Sequence, residues 1–252
     1  MQHKVPFLLM FLTLSLRISI ANADECIGNG GSKFAYPIVV DKSGGGNFTS
    51  VQSAIDSIPQ ENHQWNSYNH PLLLKHALSE RKVLGVLQAV AARILGDRSA
   101  FFECGFLGLQ DTLWDASGRH YFAKSHIEGA ADFIFDTQGR GSSDDPSGFV
   151  FKGGTLFGNV RPYLGRAYGP YSRVIFQETT INADVVPQGW DAWKFPGKEE
   201  NFMYAEVNCK GPGSDTSNRV TWEKTLTPSQ LQQFSLSYFI DQDGWISKLP
   251  ME

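Results

Sequence analysis

The sequence predicts an all-β solenoid, a stack of short parallel strands with small helices near both ends. Three observations predict it. Residues 100–115 align with the segment beginning at Tyr121 at an offset of 21, so that Phe101 meets Phe122, Phe106 meets Ile127, Gly108 meets Gly129, Asp111 meets Asp132, Leu113 meets Ile134 and Trp114 meets Phe135. Farther on, Phe151 to Leu156 matches Phe176 to Ile181 at an offset of 25. Periods in the twenties, with β-branched or aromatic strands and Gly-rich corners, are the mark of a solenoid. A leucine-rich repeat would need a Leu-Asn ladder, which is missing. An antiparallel sandwich is the remaining alternative.

The chain opens with His3 and Lys4, then an apolar run from Val5 to Leu16, then Ala21-Asn22-Ala23. That order reads as an export leader over residues 1–23, with a small-residue cleavage site. The run falls short of the ~20 residues a membrane span needs, and Arg17 follows it. No membrane attachment is expected. Residues 24–252 then form one shortened solenoid domain. Its first part is Gly-rich around a short strand, Ile38 to Val40. A helix follows, capped by Ser50, with Val51, Ala54, Ile55 and Ile58 at helical spacing and Pro59 ending it. Near the other end Thr227-Pro228 begins a second helix with Leu231 and Phe234 on one side. Helices at both ends suit the caps of a solenoid.

Composition narrows the function. The 252 residues have a net charge of −4, 13% aromatic and 19% charged residues, and 25 glycines. No basic stripe interleaved with aromatics exists, so nucleic acid is not a partner. Loss of the leader takes 22 basic residues to 20 against 26 acidic, a net charge of −6. Such a chain has no general attraction for a polyanion, so any such binding is local. Cys26, Cys104 and Cys209 are odd in number and lack metal-ligand spacing, so neither a disulfide framework nor a metal site is predicted. Cys104 reads as a core residue. His120 and His126 have no companion at ligand spacing and read as ordinary strand residues. Asn47-Phe48-Thr49 is a glycosylation sequon.

The repeat carries the chemistry. Residues one coil apart stack in neighbouring strands about 4.8 Å apart, which sets Asp132 on Asp111. Two carboxylates that close cannot both ionise freely, so one is expected to titrate high and the pair to offer one charged and one protonated member. A base or nucleophile beside an acid suits acyl transfer or hydrolysis. A glycosidase could use the same pair, and a solvated polar ladder is the structural alternative. Both aspartates precede apolar strands, where a carboxylate without a task or a partner is costly.

Gly108-Leu109-Gln110-Asp111-Thr112-Leu113 and Gly129-Ala130-Ala131-Asp132-Phe133-Ile134-Phe135 resemble the paired active-site signature of the pectin methylesterases. Gln88-Ala89-Val90-Ala91, Leu164-Gly165-Arg166-Ala167-Tyr168-Gly169 and Val186-Pro187-Gln188-Gly189-Trp190 resemble further motifs of that family, in the same order. The resemblance runs from about residue 36 to Pro250 and implies a right-handed parallel β-helix that removes methyl esters from the galacturonate units of cell-wall pectin. It implies Asp132 as nucleophile, Asp111 as acid and then base, Gln88 and Gln110 as oxyanion donors, and Arg166 as the cation that orients Asp132. It gives Tyr168 and Trp190 sugar contacts, Trp190 and Trp193 being open between sugar contact and core. Tyr168 stands where the family usually has Trp. The resemblance implies no cofactor, methyl-esterified pectin as substrate, a proteinaceous inhibitor as partner, and the cell wall as location.

Two stretches of the family pattern are missing: a β-rich segment between Trp65 and Asn66, and about one coil after Phe135, where Asp136-Thr137-Gln138-Gly139 stands instead. Arg166 lies only 34 residues after Asp132, so the shortening puts its place beside Asp132 in question. The competing readings are an inactive wall-polysaccharide binder or truncated product, and a lyase or polygalacturonase. A lyase would want a calcium-binding carboxylate cluster, and none stands out.

Overall fold

The computed structural model describes residues 90–102, 104–108, 110–135 and 139–249, with Phe48, Thr49, Ser53, Ser57 and the backbone of 16–19 and 73–75. The expected strand at Ile38–Val40, Gln88, Asn47 and Cys26 lie outside these residues. Of the helix expected after Ser50, only Ser53 and Ser57 are described. The strands wind in order around three faces. The first stack holds β2 (Leu73–Lys75), β3 (Ala92–Ile94), β4 (Ser99–Phe102), β5 (Gly105–Leu107), β6 (Leu113–Asp115), β7 (His120–Ala123), β8 (His126–Gly129) and β9 (Ile134–Phe135). The second holds β10 (Phe149–Lys152), β11 (Thr155–Gly158), β12 (Gly165–Arg166), β13 (Arg173–Gln177), β14 (Thr180–Ile181), β15 (Trp190–Asp191) and β16 (Met203–Val207). A further strand, β1 (Leu16–Ser19), lies between the stacks.

The repeat offsets set the register. Phe101 pairs with Phe122, Phe106 with Ile127 and Leu113 with Ile134, all parallel. In the second stack Phe151 pairs with Phe176 and Leu156 with Ile181. Like residues therefore stack inside the coil. The Phe101 and Phe122 rings lie 5.0 Å apart and those of Phe151 and Phe176 4.7 Å apart, both stacked. The corner before the first face repeats as well. Lys124, Gly153, Glu178 and Asn208 each adopt positive φ there. The next residue is small, and Ser125, Thr179 and Cys209 turn their hydroxyl or thiol back to the carbonyls of Ala123, Gln177 and Val207. Cys104, one 21-residue period before Ser125, donates likewise to Phe102 and is buried. Cys104 and Cys209 thus fill rungs of one corner ladder.

The two stacks are separated by the space of one rung. On the first face β8 and β11 both pair with β1, which runs antiparallel to each. Adjacent strands lie about 4.8 Å apart, so β8 and β11 are one strand width too far apart to pair directly. On the other faces β7 does not pair with β10, nor β9 with β12, among the described residues. The gap falls where the sequence lacks a coil after Phe135.

The C-terminal segment straps the stacks together. α1 (Pro228–Gln232) starts at the expected Thr227, whose hydroxyl caps Gln230 while Gln230 returns a side-chain bond to the Thr227 amide. Phe234 packs with Ile175 and Ala205 of the second stack. After α2 (Leu236–Phe239), Trp245, Ile246 and Leu249 bury themselves against Ala100, Phe102 and Tyr121 of the first. Arg119 adds ion pairs to Asp97 at 2.6 Å and Asp243 at 3.1 Å.

Candidate active site

The bend after the first face places the aspartates. Gln110 bridges to Ala131, and the Asp111 amide donates to the Ala131 carbonyl at 3.2 Å, which sets Asp111 and Asp132 one rung apart. Both adopt left-handed backbone, with φ of 58° and 43°. Asp tolerates this region better than most residues, and such strained positions concentrate at functional sites. The tightness of the bend explains the preceding glycines. A Cβ at Gly129 would meet Phe133 Cβ at 2.3 Å, and one at Gly108 would meet Thr112 Oγ1 at 2.6 Å. Thr112 is itself buried, its hydroxyl bonded to the Glu128 carbonyl at 3.0 Å. Asp111 is only 4% exposed, whereas the Asp132 side chain is 24% exposed. The inner carboxyl is shielded and the outer one faces the cleft.

Arg166 comes from the second stack and reaches across the missing rung. Its Nη1 lies 3.6 Å from Asp132 Oδ2, and its Nε lies 3.7 Å from Asp191 Oδ2. The shortening has therefore not separated Arg166 from Asp132. Asp191, which the sequence reading missed, pairs in register with Arg166 on the next rung. Its signal was available, since the offset of 25 that relates Phe151 to Phe176 also relates 166 to 191.

The aromatic residues divide differently from expectation. Trp190, expected to contact sugar, is 1% exposed and stacks on Tyr204 at 4.7 Å within the core. That assignment is corrected: an indole sealed between Tyr204 and Phe176 has no face for a ligand. The exposed ring is Trp193, at 38%, on a turn of positive φ. It rests against Tyr168 at 4.7 Å, with the Arg166 guanidinium 5.4 Å from its ring centre. Burial, then the carboxylates of Asp132 and Asp111, push the Tyr168 hydroxyl up, so it remains neutral.

Asp132, Arg166 and Tyr168 line a cavity of about 370 Å³ that occupies the missing rung. Its inner wall is apolar, formed by Phe133, Ile134, Phe149, Phe151 and Leu156. Arg140, Arg161 and Arg173 join Arg166 around it. Arg140 bonds the backbone carbonyls of Asp145, Tyr171 and Ser143 at 2.6 to 2.9 Å, with the charges of Asp145 and Asp144 acting on it, and Arg161 pairs with Asp184 at 2.9 Å. Burial, then Arg140, bring Arg173 down to about 10, still charged at neutral pH.

His120 and His126 do not line this cavity. Among the described residues no group of three or more His, Cys, Asp or Glu could hold a metal ion. His120 is pinned by Asp115 at Nδ1 and by the Gly96 carbonyl at Nε2, 2.6 Å away. Burial lowers its pKa, but Asp115 and then Gly96 outweigh it, and the net shift is upward. His126 meets Glu128 at 3.2 Å.

Comparison with known proteins bears on this geometry. The Pectinesterase family model matches residues 84–140 and 136–243, two segments that meet where the rung is missing. The chain is 33% identical to "Probable pectinesterase 29" of Arabidopsis thaliana over 309 residues, covering 86% of this chain and 91% of that protein. It is 33% identical to "Probable pectinesterase 55" of the same plant over 307 residues, with 86% and 92% coverage. Both alignments are longer than this chain's 252 residues, so the relatives carry segments it lacks. Among solved structures, pectin methylesterase from carrot superposes with a TM-score of 0.68 at 21% identity, covering 88% of this chain and 99% of that one, and so shares the fold. With the stacked aspartates, the register and the full-length relatives in agreement, this chain belongs to the pectinesterase family.

Proposed function

We propose that the protein is a pectin methylesterase that hydrolyses the methyl esters of galacturonate units. The observation that carries this reading is the stacking of Asp132 on the buried Asp111, both in left-handed backbone, with Arg166 3.6 Å from Asp132. In the proposed reaction the Asp132 carboxylate attacks the ester carbonyl carbon. The new C–O bond moves negative charge to the carbonyl oxygen, where Gln110 and Gln88 donate hydrogen bonds. One good donor there lowers the barrier by ~3–4 kcal/mol. The intermediate collapses by breaking the bond to the methoxy oxygen, which takes the Asp111 proton and leaves as methanol. Asp111 then accepts a proton from water, whose oxygen attacks the acyl carbon. Collapse frees the galacturonic acid unit, which loses its proton to water, and regenerates Asp132 as carboxylate and Asp111 as acid. Arg166 holds Asp132 aimed at the ester. Water is the only co-reactant, and no cofactor is used.

Pectin is the substrate because the cleft pairs a ring surface, Tyr168 against Trp193, with several arginines in an otherwise acidic chain. The apolar N-terminal stretch would direct export to the cell wall, with Asn47 as a glycosylation site. No helix among the described residues is long and apolar enough to cross a membrane. A proteinaceous inhibitor would act by covering the Tyr168–Trp193 rim.

The test is methanol release from methyl-esterified pectin by the full chain. Wild type is expected to release methanol, and Asp132→Asn to lose at least ~1,000-fold, as removal of a nucleophile does. A folded wild-type chain that releases none, or that yields unsaturated products, overturns the reading.

A further inference from the structure

The cavity beside Asp132 is larger than a methyl ester needs. Its volume is about 370 Å³, and an apolar cavity of about 150 Å³ already accommodates a benzene ring. Its lining changes from mouth to depth. Asp132, Arg166 and Tyr163 are partly or well exposed and stand where it meets solvent. Phe151, Leu156 and Phe176, at 9%, 2% and 2% exposure, form its buried wall. Phe133 and Ile134 pack against the buried clusters of both stacks. The space thus lies at the seam between two cores, where the sequence lacks a coil after Phe135. Chemistry limits what can enter. A galacturonan chain continues in both directions from its ester and is covered with hydroxyls, which are costly to bury without partners. It suits the rim, where Tyr168 and Trp193 lie together. The alcohol half of an ester ends within a few atoms and, beyond its oxygen, can be wholly apolar. With the carbonyl carbon ~3–3.5 Å from the Asp132 carboxylate, as attack requires, the alcohol oxygen is one bond farther on. Its substituent then lies beside the wall that begins with Asp132 and Phe133.

We infer that the cavity is an alcohol-side pocket, and that the protein hydrolyses galacturonate esters of apolar alcohols larger than methanol, butyl and benzyl esters among them, and favours them. The inference rests on the esterase reading and extends its substrate class. The chemical step is unchanged. Asp132 attacks the carbonyl carbon, the bond to the alcohol oxygen breaks, and that oxygen takes the Asp111 proton. Water then releases the acid from Asp132. The preference comes from apolar surface that leaves water as the alcohol group enters the pocket. Phe151, Leu156 and Phe176 touch that group and set the specificity; they take no part in the bond changes.

The test gives the full chain a single galacturonate trimer esterified with methanol, butanol or benzyl alcohol. These alcohols leave with similar ease, so a difference reports the pocket and not the leaving group. Read as alcohol released, kcat/KM should rise from methyl to butyl to benzyl and end at least ~10-fold above methyl. Val160 lines the cavity from a bend and is none of the proposed catalytic groups. Val160→Trp should fill the space, so that benzyl ester activity falls at least ~10-fold while methyl ester activity stays within about 2-fold. Should that variant fail to fold, the ester series on the wild type decides alone. Methyl ester hydrolysis with a benzyl ester no faster overturns the pocket and leaves the esterase reading standing. A benzyl preference that survives in folded Val160→Trp overturns the assignment of the preference to this cavity. Benzyl hydrolysis without methyl hydrolysis upholds the pocket and sinks the methylesterase reading. A folded chain that hydrolyses none of the three overturns both.

Discussion

At φ of 58° and 43°, Asp111 and Asp132 hold a conformation in which each carboxyl leaves the line of its strand. The bend puts one inside and the other at the cleft, so two identical side chains receive different surroundings. That the two stack was legible from the offset of 21, because strand register is periodic and Asp111 and Asp132 share a phase. Which neighbouring tryptophan faces solvent was not legible. Trp190 lies on a strand with its ring inward, and Trp193 lies three residues later on a turn; spacing alone does not reveal the turn. A third carboxyl, Glu223, was also silent in the sequence. It accepts from the Glu206 amide at 3.1 Å, beside the buried Arg219–Glu206 pair at 2.6 Å. Burial, and then the charge of Glu206, push Glu223 up to about 7. Its folded pKa exceeds its unfolded one, so its contribution is intact below the unfolded value of 4.5 and is lost as pH rises through about 7. Melting temperature should therefore fall by a few degrees, on the order of 5 °C, across that window. Glu223→Gln should flatten the fall in a thermal-melt series, and an unchanged slope would show that Glu223 is not its source.

The corner ladder and the Gly-x-x-Asp bend show what a single element imposes. Ser125, Thr179 and Cys209 close equivalent corners, so a cysteine thiol stands at one rung where hydroxyls stand at others. Counting cysteines showed only that no framework was expected; the ladder emerges once Cys104 and Ser125 are placed in register. The bend is more exacting. At Gly129 an added Cβ would fall 2.3 Å from Phe133 Cβ and 2.8 Å from Thr112 Oγ1, neither of which is the free end of a flexible chain. Gly129→Ala must therefore shift the backbone that carries Asp132. A displacement near 1 Å costs ~100-fold in rate. Methanol release should drop by about that factor while circular dichroism stays β-rich. Wild-type activity in this variant would mean that the bend does not set the aim of Asp132.

Across the whole molecule, the gap left by one rung divides the proposed catalytic groups. Asp111 and Asp132 belong to the first stack and Arg166 to the second, and three unrelated devices span them: β1 on one face, the Arg166–Asp132 pair on another, and the C-terminal strap on the third. The gap itself was legible, as a departure from the family pattern after Phe135. Its closures were not, because no repeat offset marks an antiparallel strand from the N-terminus or a tail that crosses between stacks. Trp245 anchors the strap. Trp245 is 2% exposed, its indole donates to the Ile240 carbonyl at 2.7 Å, and it shares a buried cluster with Ala100, Phe102 and Tyr121 of the first stack. Trp245→Ala should cost ~3–5 kcal/mol, as loss of a large buried aromatic does. Because the lost contacts lie between stacks and not within one, cooperativity should fail with them. In a urea series followed by hydrogen exchange, strands β4 and β7 should open at lower denaturant than β13 and β16, whereas wild type opens both together. Methanol release should fall in step with the opening of the first stack, since Arg166 then loses Asp132. A variant that still unfolds in one coincident transition would show that β1 and the ion pair hold the stacks without the strap.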